Sequence, residues 1–240
     1  MHNTKNKIDK TLQKCILFLT IFLSSLICYF LFHPADVDVT AQDIAKVKIG
    51  ANGTIMADGK AFFPFGFYYV SYKSTADKQM NALRDIGAAG FNTIFASVDA
   101  RLDDHEKLLD EAKRLGVYVI SDHEANWDRS ETIKAFMNKP ALFSWSIGDD
   151  VSRNHASEEL LKLHKQVKDI DPNHLTYISM FDPNPKVATR YMHCSDLVGM
   201  QSYPISNRPL HSTYYEIKAA VDISKRENKR NRSRGGTSCA

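Results

Sequence analysis

Cysteine is scarce in this sequence: there are four in 240 residues, and two of them, Cys15 and Cys28, fall in an apolar N-terminal stretch. Cys194 and Cys239 could close at most one disulfide, which excludes a disulfide scaffold, and no pair has the spacing of a metal site. Cys194 reads instead as a small buried hydrophobe. An excess of charge of one sign is also missing: 31 basic residues face 28 acidic ones, for a net charge of +3. Such a balance gives no basis for a nucleic-acid partner. The small basic excess is local, because Lys225, Arg226, Lys229, Arg230, Arg232 and Arg234 sit together, and residues 225–240 read as a solvated, disordered tail. No Gly-rich loop follows the first apolar strand, so a nucleotide-binding sheet has little support.

What the chain does have is a composition of 43% hydrophobic and 25% charged residues, which suits one globular domain of ordinary size. Its N-terminus carries Lys5, Lys7, Lys10 and Lys14, followed by an uncharged run over residues 15–32. As a helix that run would span about 27 Å, close to the hydrocarbon thickness of a bilayer. The basic segment 1–14 is expected to stay cytoplasmic and everything after Phe32 to cross. A cleaved signal peptide is the rival reading, with Val39 and Ala41 as small residues before a cut. Either way the domain is placed outside the cytoplasm, as a single-pass membrane protein or a secreted one. Asn52-Gly53-Thr54 would be a glycosylation acceptor in a eukaryotic host.

Residues 33–45 form a polar linker, and a domain begins at 46. Val47, Ile49, Ile55 and Met56 are punctuated by Asn52-Gly53 and Asp58-Gly59, two hairpin signals that predict a small β-ribbon. The period then alternates. Helices are expected over 76–89, 104–115, 130–137, 157–170 and 212–224, and apolar strands over 91–96, 117–120, 141–147, 175–178 and 197–200, after a first strand near Phe65. Six continuous apolar strands alternating with helices predict an α/β fold with a parallel sheet covered on both faces. Its polar residues, Asp99, Asp122-His123-Glu124, Asp149-Asp150, Asp182 and Gln201, fall just past strand C-termini, which favours a (β/α)8 TIM-barrel-type closure over an open doubly wound sheet.

Four stretches carry a family resemblance. Phe62-Phe63-Pro64-Phe65-Gly66, Gly90-Phe91-Asn92-Thr93-Ile94, the run Pro140 to Asp150 ending Ile147-Gly148-Asp149-Asp150, and Asp196-Leu197-Val198-Gly199 with Ser202-Tyr203-Pro204 resemble, in order, strands one, two, four and six of the retaining (β/α)8-barrel glycoside hydrolases of the β-galactosidase and cellulase kind. The resemblance covers residues 46–210. It implies hydrolysis of O-glycosidic bonds in an extracellular carbohydrate by two carboxyl groups about 5 Å apart, with no cofactor. Carried over by position, Asp150 matches the acid/base and Asp149 its neighbour. Aspartate is one methylene shorter than the usual Glu, and mutual repulsion of the two carboxylates would suit one of them to general-acid work. The plain alternative is that both cap the loop or pair with Arg153.

The resemblance places the nucleophile after a seventh strand, and residues 225–240 hold no apolar run to form one. The barrel is therefore expected to be truncated after about six β/α units, with a completing partner chain or a short variant of another fold as alternatives. His123, Glu124, Trp127, Tyr203 and Tyr69 are the remaining expected substrate contacts; Tyr68 and Tyr69 end the first strand, one of them pointing into the cleft. His155 and His164 read as cap and core residues and Trp145 as core. A rival reading is a non-catalytic carbohydrate-binding or surface-interaction protein on the same scaffold. A third, a metal-dependent deacetylase using Asp149 or Asp150, finds no spaced His pair. No obligate protein partner is evident, and no metal site is expected.

Overall fold

The structure is a computed structural model that describes residues 47–50, 52–68, 70, 74–98, 102–123, 129–181 and 184–233. The apolar segment 15–32 and the linker 33–45 lie outside the described residues. Among those described, no helix is long and apolar enough to cross a membrane.

The ribbon predicted by the two hairpin signals is present. Strands β1 (Val47–Ile49), β2 (Ile55–Ala57) and β3 (Lys60–Ala61) form an antiparallel sheet in that order. Asp58 and Gly59 both take positive φ, 50° and 77°, and make the two-residue turn between Ala57 and Lys60 that matches the strand twist. Val47 of the ribbon, with Ile55 and Phe62, packs on Phe143, Leu175, Tyr118 and Ile120 near the N-terminal ends of the main strands.

The main sheet contains β4 (Gly66–Phe67), β5 (Thr93–Val98), β6 (Tyr118–His123), β7 (Leu142–Gly148), β8 (Leu175–Met180) and β9 (Leu197–Met200). All neighbours are parallel, and the spatial order is the chain order. A doubly wound sheet would reverse its order at a switch point; this one does not. The connections are α1 (Ala76–Ala88), α2 (Leu102–Leu115), α3 (Arg129–Phe136), the single turn α4 (Val151–Asn154) with α5 (Ser157–Ile170), and α6 (Pro185–Tyr191). The last element is α7 (Ser212–Ser233). It runs past the expected end at Ser224, because Lys, Arg and Glu propagate a helix well even where no apolar residue recurs.

The sheet is curled. Strands three apart in a flat sheet would lie roughly 14 Å from each other. Yet the rings of Phe95 on β5 and Tyr177 on β8 have centroids 5.9 Å apart. Side chains alternate accordingly. Ile94, Val119, Trp145, Ile147, Ile178 and Met180 face the helices in one buried cluster with Leu108, Leu109 and Leu160. Phe95, Tyr177, Ser179 and Gly199 lie on the concave side, where Gly199 is required: a Cβ there would stand 2.1 Å from the Tyr177 hydroxyl. The described residues thus supply six of the eight strands that close a barrel of this kind.

The N-terminal side of the sheet is a structural end. Trp145 is fully buried as expected, and its indole N–H donates to Asp171 Oδ2 at 2.8 Å. The same oxygen accepts from His174 Nδ1 at 2.8 Å, and Asp171 Oδ1 accepts from the Asn173 and His174 amides. Burial alone would raise the Asp171 pKa, but the His174 and Trp145 hydrogen bonds outweigh it and hold the carboxyl below its usual range. Cys194 is buried, with its thiol pushed up to about 11 by burial and by Glu158, as befits an inert core residue. His164 is buried against Thr176 and His155 occupies the C-cap of α4, so both histidines fill the cap and core roles read from the sequence.

Two outcomes test this packing. Gly199→Ala should cost about 1–3 kcal/mol in chemical denaturation, and Tyr177→Phe added to it should restore much of the loss, since the clash is with the hydroxyl. A depressed carboxyl stabilises the fold above its unfolded pKa, and that contribution is lost as pH falls through the folded value. Asp171→Asn should therefore destabilise the protein at neutral pH and flatten the decline in stability below pH ~4. An unchanged acid limb would mean that Asp171 is not held in this pairing.

Candidate functional site

Parallel strands bring all their C-terminal ends to one side, and the curl turns those ends into a shared mouth. At the end of β7 the chain must turn sharply. Gly148 permits this, because a Cβ there would stand 2.7 Å from the Val151 side chain and 3.0 Å from that of Leu160. The next residue, Asp149, points its carboxylate into the concavity. Its Oδ1 accepts hydrogen bonds from the Tyr68 hydroxyl at 2.5 Å, from the Gln201 amide at 2.7 Å, and from the Ser179 hydroxyl. These donors follow β4, follow β9 and lie on β8, so one oxygen ties together four strand ends. Gln201 also donates to Ser179 Oγ at 2.7 Å, and its carbonyl accepts from the Tyr203 hydroxyl at 2.5 Å.

Asp150 is built differently. It sits in the left-handed region at φ 47° and ψ 37°, at the N-cap of α4, without capping that helix through its side chain. Its amide donates to Ser179 Oγ at 3.2 Å. Its Oδ1 is buried and meets no hydrogen-bond partner. A non-glycine residue in this conformation costs on the order of 1 kcal/mol or more, and an unpaired buried carboxylate oxygen adds to that. Stability alone does not account for an aspartate here.

The surrounding polarity extends the pattern. Ser97, Asp122 and Ser146 are register partners across β5, β6 and β7, with Tyr177 next in the row. The Ser97 and Ser146 hydroxyls are buried and find no protein partner, as does that of Ser144 one step below. The phenols stay protonated donors. Burial first, then the Asp149 hydrogen bond, pushes Tyr68 far above its ordinary value, and Tyr177 is raised by burial and then by the Asp149 charge. Tyr203 is raised by burial, then by Asp150 and Asp149. At the rim Tyr203 is 54% exposed and stacks on Phe181 with 5.9 Å between centroids. The Arg153 guanidinium lies 3.8 Å from the centre of the Phe181 ring.

Of the residues expected from the sequence, Asp149, Asp150 and Tyr203 come together at this mouth. Tyr68 reaches the cleft, where it donates to Asp149. His123 ends β6, so its backbone is at the same rim. Tyr69, Glu124 and Trp127 fall outside the described residues, as do Asp99 and Asp182. The alternative pairing of Asp149 and Asp150 with Arg153 is not what the structure shows: Arg153 stacks on Phe181, and Asp149 takes uncharged donors. Sequence reading missed the roles of Ser179 and Phe181, because β8 was expected to end at Ile178. It placed Gln201 at a strand end without giving it a partner. Among the described residues no three His, Cys, Asp or Glu side chains are grouped to hold a metal ion.

No protein-family model matches the sequence, and no curated protein does. Solved structures do share its fold. Saccharomyces cerevisiae Gas2p, in complex with laminaritriose and laminaritetraose, matches 75% of this chain and 52% of its own, at 16% identity and a TM-score of 0.54. The β-glucuronidase of Parabacteroides merdae matches 75% of this chain and 25% of its own, at 15% identity and a TM-score of 0.53. That of Bacteroides uniformis matches 72% and 24%, at 13% identity and a TM-score of 0.53. The chain thus spans a quarter to a half of these proteins. At such identities the likeness is one of fold alone.

The strain at Asp150 can be measured. Asp150→Gly should raise stability by about 1 kcal/mol or more in urea denaturation, since glycine accepts positive φ and removes the unpaired oxygen. A loss of stability would mean that the Asp150 carboxylate is satisfied in solution.

Proposed function

We propose that this domain takes a carbohydrate into the mouth of its curled sheet and cleaves a glycosidic bond there, with Asp150 as general acid/base. The observation that carries this reading is the Asp150 carboxylate, held in a strained backbone with one oxygen buried and unpaired, beside a rim of aromatic rings. A proton donor must not be tied up by the protein's own groups, and no protein group bonds this oxygen. The serine hydroxyls of the concave face offer further donors and acceptors to a polyhydroxylated ligand, and Tyr203 on Phe181 offers a flat face to a sugar ring. Asp149, with three donors on its Oδ1, shapes the site. His123, Glu124, Trp127 and Tyr69 complete the substrate contacts in this proposal. The domain works outside the cytoplasm, carried there by the apolar segment 15–32.

A binding function without cleavage is the second reading. It is favoured by one observation: the other carboxylates of the described mouth are Asp122 and Asp149, whose Oδ1 already takes three donors, whereas double displacement needs a second free carboxyl group about 5 Å from the first.

The two separate in one experiment on laminari-oligosaccharides and a panel of aryl glycosides. Asp150→Asn should leave calorimetric binding unchanged while the release of reducing ends falls about 10²-fold or more. If the unaltered protein binds saccharide but never releases reducing ends, the binding reading stands and cleavage is withdrawn. If it does neither, both readings fail.

A further inference from the structure

Helix α7 has two faces of different character. One is buried, with Ile223 at 1% exposure and Glu216 bonded to Arg208. The other carries Tyr214, Ile217 and Val221 at helical spacing, all exposed, with Tyr215 beside them and Ile205 and Leu210 exposed in the loop just before. In the turn after Val221 the exposed side chains become Lys225 and Arg226. The helix then continues through Lys229, Arg230 and Arg232 in sequence, with Glu227 as the acid of that stretch. Lys218 and Asp222 neutralise one another at 2.7 Å, so the local excess is cationic.

We infer that this face of α7 docks on an anionic lipid surface. An apolar stripe alone would fit any covering element, including a further β/α unit packed beside α7. Such a unit would have no use for a dense cationic run continuing along the same helix. A second copy of the chain would bring like charges together. A nucleic acid would match the cations but not the exposed isoleucines, leucine and valine. A bilayer of anionic lipid matches both: aliphatic groups and tyrosine rings enter the headgroup boundary, while Lys and Arg snorkel to the phosphates. The apolar segment 15–32, in the reading proposed above, would already tether the chain to a membrane. A spanning helix holds effectively irreversibly, so α7 would add orientation to a tether that is already firm. Docking of α7 would then fix how the mouth of the sheet is presented above the lipid.

The test is hydrogen exchange on the full chain reconstituted in nanodiscs, either of phosphatidylcholine alone or mixed with phosphatidylglycerol. With phosphatidylglycerol, the amides of α7 should exchange about tenfold more slowly, and ~1 M salt should abolish the effect. Lys225→Glu with Arg226→Glu, and separately Ile217→Ser with Val221→Ser, should each remove the slowing. Unchanged protection of β5 to β8 in the same data shows that these surface variants are folded. Equal protection on both lipids overturns the proposal, as does protection that grows with protein concentration instead of phosphatidylglycerol content.

Discussion

One carboxylate oxygen holds the mouth of this sheet in shape. Asp149 Oδ1 draws donors from the ends of β4, β8 and β9 onto the end of β7, and those ends would lie far apart on a flat sheet. The curl and the concave site both depend on that convergence. Three donors converge on that one oxygen, the Tyr68 hydroxyl at 2.5 Å and the Gln201 amide at 2.7 Å among them. The arrangement is specific, because removing one donor leaves a charge short of solvation rather than a gap that apolar atoms can fill.

The two ends of the strands divide the work. At the N-terminal end Asp171, Trp145 and His174 form a small polar cluster that ties a core indole to the loop before β8. At the C-terminal end hydroxyls and Asp150 are left with buried atoms unpaired. Buried atoms without a partner occur elsewhere too, His174 Nε2 at the N-terminal end among them. Adjacent aspartates share the C-terminal end, yet one is fastened and its neighbour is not. That contrast, more than the presence of two acids, gives the pair distinct chemistry.

Much of the fold was legible because strands buried on both faces read as unbroken apolar runs, and helices between them show a period of 3.6 residues. The errors were systematic. The second, third and fifth strands of the main sheet, β5, β6 and β8, each run two or three residues further than expected. Their last residues, Ser97-Val98, Ser121-Asp122-His123 and Ser179-Met180, end the apolar run just where the mouth begins. A site made of polar strand ends therefore hides the strand from a hydrophobic reading. Asp149, Asp150 and Tyr203 were visible because each follows a recognisable stretch. The hydrogen bonds around Asp149 were not, since its donors lie 81, 52 and 30 residues away in the chain. The turn α4 is too short to show a period at all.

The strand order has a consequence for how this chain acquires its shape. Because β4 to β9 lie side by side in the order in which they are made, each new strand finds its hydrogen-bonding neighbour already present. Growth can proceed as zipping from the N-terminal side, with every pairing closing a loop of one or two helices and their turns. The contacts that bend the sheet are of the opposite kind. Tyr68 and Asp149 are 81 residues apart, and Phe95 and Tyr177 meet across the same three-strand gap. Elongation is thus local and early, curvature is remote and late, and the mouth is the last part of the molecule to be formed.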